Sequence, residues 1–296
     1  MDFKLQMEKW NLLVNNALDD YLTIYDGPGS NISKAMKYSL MAGGKRLRPV
    51  LALAVCEMLN GDRNDVIPFA CAIEMIHTYS LIHDDLPAMD NDDFRRGIPT
   101  NHKVFGEAMA ILAGDALLNK AYELMLSCAA AGNEGHKRKL EAMEIIAAGA
   151  GADGMIRGQV VDLESEGVLI SRETLEYMHK YKTGALIKAP VLSSALLAGA
   201  SDKEYKLLGN YAENIGLAFQ IKDDIMDVEG NLEQMGKSAG SDAAANKSTY
   251  VTLFGIEEAE VLLDRAVKSA VDALQFFGER AWFLKELAEF IKTRNN

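Results

Sequence analysis

An all-α fold is the expectation from this sequence, and three observations carry it. Apolar residues recur at helical spacing almost everywhere, as in Leu5, Trp10, Leu12, Leu13 and Leu18 near the start and Leu262, Leu263, Val267, Val271 and Leu274 near the end. The strict alternation of a half-buried strand is hard to find. Polar, glycine-bearing breaks separate the periodic stretches. In chain order these breaks are Asp26-Gly27-Pro28-Gly29-Ser30, Gly43-Gly44, Asn60-Gly61-Asp62, Gly132-Asn133 with Gly135, and residues 229–246. Each reads as a turn between helices. A long apolar helix is expected to start near Val66 and to end at Asp84, and another to start near Lys203 and end around Asp227. Alanine and glycine crowd residues 147–154 and 193–200, where small side chains let helices approach closely. Residues 229–247, rich in Gly, Ser, Lys and Asn, form the longest stretch without periodicity and are expected to be a functional lid.

The 296 residues are 49% hydrophobic and 25% charged with only 6 prolines, which is the composition of a globular chain rather than a disordered or collagenous one. No linker-like shift, repeat or low-complexity tract beyond Ala243-Ala244-Ala245 divides it, so one helical domain over residues 1–296 is expected. Lys+Arg 31 against Asp+Glu 43 gives a net charge of −12, which repels nucleic acid and anionic membrane at long range and makes any basic cluster local. Cys56, Cys71 and Cys128 are odd in number and scattered, which suits reduced thiols. The first residues lack a basic region followed by an apolar core, and the apolar run over residues 50–59 is broken by Glu57, well short of the ~18 residues of a membrane span. A soluble cytoplasmic protein is expected.

The strongest chemical signal is the run His83-Asp84-Asp85-Leu86-Pro87-Ala88-Met89-Asp90-Asn91-Asp92-Asp93 at the end of the first long helix. A helix C-terminus is the negative end of the macrodipole, so Asp84, Asp85 and Asp90 crowd there unfavourably unless cations neutralise them. Pro87 helps to end the helix, which lets Asp90 fold back towards Asp84. The second signal is Gln220-Ile221-Lys222-Asp223-Asp224-Ile225-Met226-Asp227. Asp223 and Asp227 stand at i and i+4 on one helix face, where like charges repel unless a divalent ion bridges them. Oxygen-only donors favour magnesium or manganese over zinc. Each set is embedded in apolar helix, as an inward-facing cleft would require, and magnesium is held by a few carboxylates together with substrate phosphates. A polyanionic substrate follows.

Such a substrate needs cationic donors as well. Gly43-Gly44-Lys45-Arg46-Leu47-Arg48-Pro49 is a turn opening a helix, where backbone N–H groups and basic side chains can hold phosphate. Arg95-Arg96, Lys180, Lys182-Thr183 and Gly236-Lys237-Ser238 complete the set, and His77 lies about two turns before Asp84.

In sequence order, these residues closely resemble the trans-isoprenyl diphosphate synthases, in particular the bacterial short-chain farnesyl type, over nearly the whole chain. Asp84-Asp85-Leu86-Pro87-Ala88-Met89-Asp90 is similar to that family's first aspartate-rich motif with a two-residue insertion, and Asp223-Asp224-Ile225-Met226-Asp227 to its second. Residues 43–49, Glu74-Met75-Ile76-His77, Arg95-Arg96-Gly97, Lys182-Thr183-Gly184 and Phe219-Gln220 fit in order. The resemblance implies a helical bundle around a central cavity between the motifs, a homodimer, and three magnesium ions, with manganese as the alternative metal. It implies that Lys45, Arg48, His77 and Arg96 hold isopentenyl diphosphate and that Arg95, Lys182, Thr183, Gln220 and Lys237 face the allylic diphosphate. Among these, Lys182, Thr183, Gln220 and Lys237 are the implied catalytic set. Asp84, Asp90 and Asp223 are the implied direct metal ligands, with Asp85, Asp224 and Asp227 acting directly or through metal-bound water. The implied reaction is ionisation of dimethylallyl or geranyl diphosphate, attack by isopentenyl diphosphate and loss of a proton.

Product length should depend on what blocks the deep end of the cavity. Tyr79, five residues or ~7.5 Å along the helix axis before Asp84, is the expected floor, with Ser80 beside it. In the resembling family an aromatic residue here implies a fifteen-carbon product, with geranyl or geranylgeranyl diphosphate as alternatives. Two features depart from the family pattern: Ser241 stands where many relatives carry a basic residue, and Arg294 either covers the isopentenyl site or belongs to a disordered end. Among rival readings, a P-loop fails because Asn231 replaces the first glycine. A phosphohydrolase leaves the second acidic motif and the double arginine unexplained. A cyclase has little need of a second diphosphate site, and a non-catalytic regulatory subunit would be expected to have lost a motif.

Overall fold

The computed structural model describes residues 2–131, 135–229 and 248–294, and it bears out the all-α expectation. Helix α1 (Phe3–Tyr21) is capped by Asp2, whose carboxylate accepts from the Leu5 amide, and it buries Met7, Trp10, Val14 and Leu18 in one three-and-four-spaced stripe. After α2 (Asn31–Leu40) comes α3 (Leu47–Met58), with Pro49 in its first turn where no intrahelical N–H is needed. Helix α4 (Arg63–Asp84) starts earlier than the apolar pattern suggests because Asp62 caps it, accepting from the Asn64 amide at 2.8 Å. By length and composition α4 could cross a bilayer, but 72% of its most apolar window is buried inside the fold. Its surface is taken up by α3, α6 (Glu107–Ala130) and α10 (Ala185–Leu197).

Between α4 and α6 lie the short α5 (Asn101–Phe105) and a hairpin that the sequence pattern does not announce: β1 (Phe94–Arg95) pairs antiparallel with β2 (Ile98–Pro99). Arg96 and Gly97 at its tip both have positive φ, 54° and 78°, as a tight two-residue hairpin turn demands. Helices α7 (His136–Ala150), α8 (Met155–Glu164) and α9 (Arg172–His179) follow, and α9 runs through a π-helical turn (Lys180–Gly184) into α10. The small residues do what their composition suggests: a Cβ on Gly149 of α7 would stand 3.2 Å from the Ala189 methyl of α10. Helix α11 (Asp202–Glu229) packs on α10, on α13 (Ile256–Ala273) and on α14 (Trp282–Thr293), with α12 (Tyr250–Phe254) and a 3₁₀ segment (Gln275–Ala281) completing the chain. On the outside of α6, Ile111, Leu112 and Leu126 are exposed. Gly132, Asn133, Lys237, Ser241 and all but the first of residues 229–247 lie outside the described residues, so the expected lid does too.

Candidate active site

The end of α4 and the chain after it build the first acidic wall. The Asp90 amide donates to the Asp84 carbonyl at 2.9 Å, so the chain folds back after Pro87 as the sequence suggests and brings the two aspartates together. Burial pushes the Asp84 carboxyl up to about 6; Lys182 works against the shift, and Asp90 and Asp85 add to it. Asp85 is buried and faces the hairpin, where Arg95 donates to it from Nε (2.7 and 3.0 Å) and from Nη2 (2.5 Å) while also reaching Asp92 at 3.2 Å. Burial opposes the Arg95 charge, but Asp85, Asp92 and Asp84 outweigh it and hold the guanidinium above its ordinary value.

A cation cluster faces the second wall. The glycine turn lets the chain enter α3 with Arg46 in the left-handed region, φ 48°, and that arginine is buried. It pairs with Glu74 of α4 at 2.8 Å and also donates to Asn15 Oδ1 and the Leu40 carbonyl. Arg46 is therefore a strut that fixes its neighbours Lys45 and Arg48. Gly44 is open because Arg96 passes over it: a Cβ there would sit 2.7 Å from the guanidinium carbon, and Arg96 donates to the Gly43 carbonyl. Burial lowers Arg48 to about 10, Glu74 only partly offsetting it, and lowers Lys45, with Arg294 adding to the effect. His77 is pushed well below its ordinary value by burial and then by Arg48, Arg96, Arg95 and Arg46, so its ring is neutral at pH 7. The Arg48 Nε is buried with no acceptor. Lys45 and Arg48 both act on Asp223, whose carboxyl burial raises while Arg294, Lys45 and Arg48 pull it back. Arg294 is ordered rather than frayed: it donates to Asp223 and to the Phe219 carbonyl, and lies over the Phe219 ring at 4.0 Å.

Two glycines seat the π turn closely between α8 and α11. A Cβ on Gly158 of α8 would fall 2.0 Å from the Lys182 amide nitrogen, and one on Gly216 of α11 would fall 3.2 Å from the Gly184 Cα. At that distance the Thr183 hydroxyl donates to Gln220 Oε1 at 3.0 Å, and Lys182 Nζ donates to the buried Asp162 at 2.5 Å. Gln220 Nε2 in turn donates to Asp224 Oδ1 at 2.9 Å, and the Tyr250 amide donates to Asp224 Oδ2 at 2.8 Å. Asp224 and Asp227 are both buried. Tyr79 is buried, its hydroxyl pushed up to about 12 by burial and then by Tyr122, and it meets the His83 ring edge-on at 5.7 Å. Ser80 donates to the His77 carbonyl at 2.9 Å, within its own helix.

The arrangement thus gathers two groups of the residues singled out from the sequence. Asp84, Asp85 and Asp90 share one site with Arg95 and Lys182, while Lys45, Arg48, His77 and Arg96 share another with Asp223. Among the described residues, no three His, Cys, Asp or Glu side chains converge as a ready-made metal cluster. Sequence reasoning missed Arg46, whose role depends on a partner 28 residues away, and Asp162, whose only local sign is an acid in an apolar helix stretch.

Residues 30–275 match the family model described as Polyprenyl synthetase. Farnesyl diphosphate synthase of Bacillus subtilis (strain 168) is 45% identical over 283 residues, 96% of this chain and 95% of that one. Heterodimeric geranylgeranyl pyrophosphate synthase large subunit 1, chloroplastic, of Arabidopsis thaliana is also 45% identical, covering 96% of this chain and 77% of that one. The crystal structure of an FPP/GFPP synthase from Zymomonas mobilis superposes with a TM-score of 0.87 at 36% identity, over 98% of this chain and 99% of the other. Fold, site and likeness agree, and the chain belongs to the polyprenyl synthetase family.

Proposed function

We infer that this chain is a prenyltransferase that condenses isopentenyl diphosphate with dimethylallyl and geranyl diphosphate to form farnesyl diphosphate. One observation carries the reading. Arg48, with a buried unaccepted Nε, stands with Arg96 beside a neutral His77 and with Lys45 beside Asp223, and burial weakens the hold of each of the three cations on its proton. Such a cluster is complete only with an anion, and a diphosphate supplies it. The neutral imidazole can then donate a hydrogen bond without adding to the crowding of positive charge.

The second substrate lies across the acidic walls. Asp84, Asp90 and Asp223, with Asp85 and Asp227 as further candidates, would hold divalent ions. Their oxygen-only chemistry suits magnesium, and Asp84, whose carboxyl burial raises, would regain its charge beside a hard cation. When bound, such ions supply positive charge to the departing diphosphate. Lys182 and Arg95 add cationic donors at the same end. The oxygens of Thr183 and Gln220 face the carbon from which the C–O bond breaks, and they stabilise its positive charge. The isopentenyl double bond attacks that carbon, and the released diphosphate takes the proton that is lost. An apolar surround serves such a site by excluding the water that would quench the cation.

Tyr79 below the first motif favours the fifteen-carbon product. A twenty-carbon product is the second reading, favoured by the likeness to geranylgeranyl pyrophosphate synthases. The exposed apolar face of α6 supports a homodimer, and three free cysteines support residence in the cytoplasm. Incubation of the pure protein with magnesium, labelled isopentenyl diphosphate and dimethylallyl diphosphate, followed by product sizing, tests the reading. Fifteen-carbon product is expected, and failure to condense overturns it. Asp84→Ala should abolish metal-dependent turnover with helix content unchanged.

A further inference from the structure

We propose that Asp224 is a positioning residue rather than a metal ligand: it sets the direction of the Thr183–Gln220 hydrogen bond so that both oxygens turn lone pairs towards the reacting carbon. Both Asp224 oxygens already act as acceptors, Oδ1 from Gln220 Nε2 at 2.9 Å and Oδ2 from the Tyr250 backbone amide at 2.8 Å. The residue is 2% exposed, so water does not compete for it.

The polarity of the chain follows from that anchor. A carboxylate is acceptor-only, so the Gln220 carboxamide must turn its NH₂ towards Asp224 and its carbonyl towards Thr183. A carbonyl cannot donate, so the Thr183 hydroxyl must spend its one proton on Gln220 Oε1, as the 3.0 Å contact records. What remains free on Thr183 is two lone pairs, and on Gln220 Oε1 one. If the amide were reversed, its NH₂ would point at Thr183 and the hydroxyl proton would be free to point at the cation, replacing attraction by repulsion. The Tyr250 N–H holds the anchor in place, its ring stacked on His179 at 5.5 Å and 21°.

This inference rests on the prenyltransferase reading for its consequence, but its geometry can be tested without turnover. In Asp224→Asn the backbone N–H of Tyr250 still requires an acceptor, so the new amide turns its oxygen there and presents its NH₂ to Gln220, which must flip. Turnover should fall about 10²-fold, while KM and the magnesium-dependent affinity for inorganic diphosphate, measured by calorimetry, stay within about twofold of wild type. Adding Gln220→Glu restores an acceptor facing Thr183 and should recover at least about tenfold of the lost turnover. A fall of about tenfold or more in magnesium-dependent diphosphate affinity in Asp224→Asn overturns the proposal, because Asp224 would then be holding metal. So does a double variant no faster than the single one. If Asp224→Asn does not fold, NMR on the wild-type chain decides: cross-relaxation from the Gln220 Nε2 protons to the Tyr250 amide proton supports the relay, and cross-relaxation to the Thr183 methyl overturns it. A wild type that binds diphosphate and shows this relay but makes no prenyl product would overturn the functional reading alone.

Discussion

Asp84 should destabilise the metal-free protein at neutral pH, and replacing it by asparagine should therefore stabilise that form. Burial raises its carboxyl from an ordinary 3.8 to about 6 in the folded chain. A group that holds its proton more tightly when folded contributes its full stability below the unfolded value and loses it as pH rises through the folded one. The gap amounts to about 3 kcal/mol at about 1.4 kcal/mol per pH unit, and the part lost between pH 5 and pH 8 is about 1.4 kcal/mol. Asp84→Asn removes the titration, so its stability advantage over wild type, measured by urea unfolding in the presence of a chelator, should grow by about that amount from pH 5 to pH 8. Magnesium and inorganic diphosphate should then reverse the order, since only the wild type keeps the carboxylate that gains from the ion; saturation at 100 times Kd is worth about 2.7 kcal/mol. An advantage that is the same at both pH values would refute the reasoning, because burial would then not be setting the proton affinity of this carboxyl.

Tyr79→Ala should lengthen the products, read by sizing of labelled chains, and should lower stability by about 3–5 kcal/mol because the side chain is buried; an unchanged chain-length distribution removes the floor. Arg46→Ala should cost about 3–5 kcal/mol in unfolding experiments by stranding Glu74, whereas Arg48→Ala should leave stability nearly intact and raise the KM for isopentenyl diphosphate. Equal effects of the two on stability would contradict the strut. Gly158→Ala drives a methyl into the Lys182 backbone, so turnover should fall along with about 1–3 kcal/mol of stability, the latter followed by thermal melting.

The elements that carry the acidic motifs were legible because their patterns are local. The apolar run before Asp84 has helical spacing, Pro87 stops it, and the return of Asp90 to the Asp84 carbonyl follows from both. The cations are harder to place. Lys45, Arg46 and Arg48 look alike in sequence, yet one is a buried strut and two face the site, and the choice is made by Glu74 on another helix. The Arg96 hairpin was illegible because two-residue strands leave no alternation to detect; only the glycine after Arg96 hints at the turn. The division of labour within Asp223-Asp224-Asp227 depends on Tyr250, beyond the reach of any helix-spacing rule. Arg294 was expected either over the isopentenyl site or in a frayed end, and the fold resolves this by giving its guanidinium an aromatic ring and a carboxylate.

The π turn at Lys180–Gly184 amounts to a helix carrying one residue too many. Rewinding all of these residues as a regular α-helix between α9 and α10 would improve the hydrogen bonding, yet every side chain beyond the turn would swing by about 100° around the axis. Thr183 would then leave Gln220. Optimisation for heat resistance alone would therefore erase this irregularity, and a laboratory selection on melting temperature without a turnover screen should yield a sturdier but inert protein.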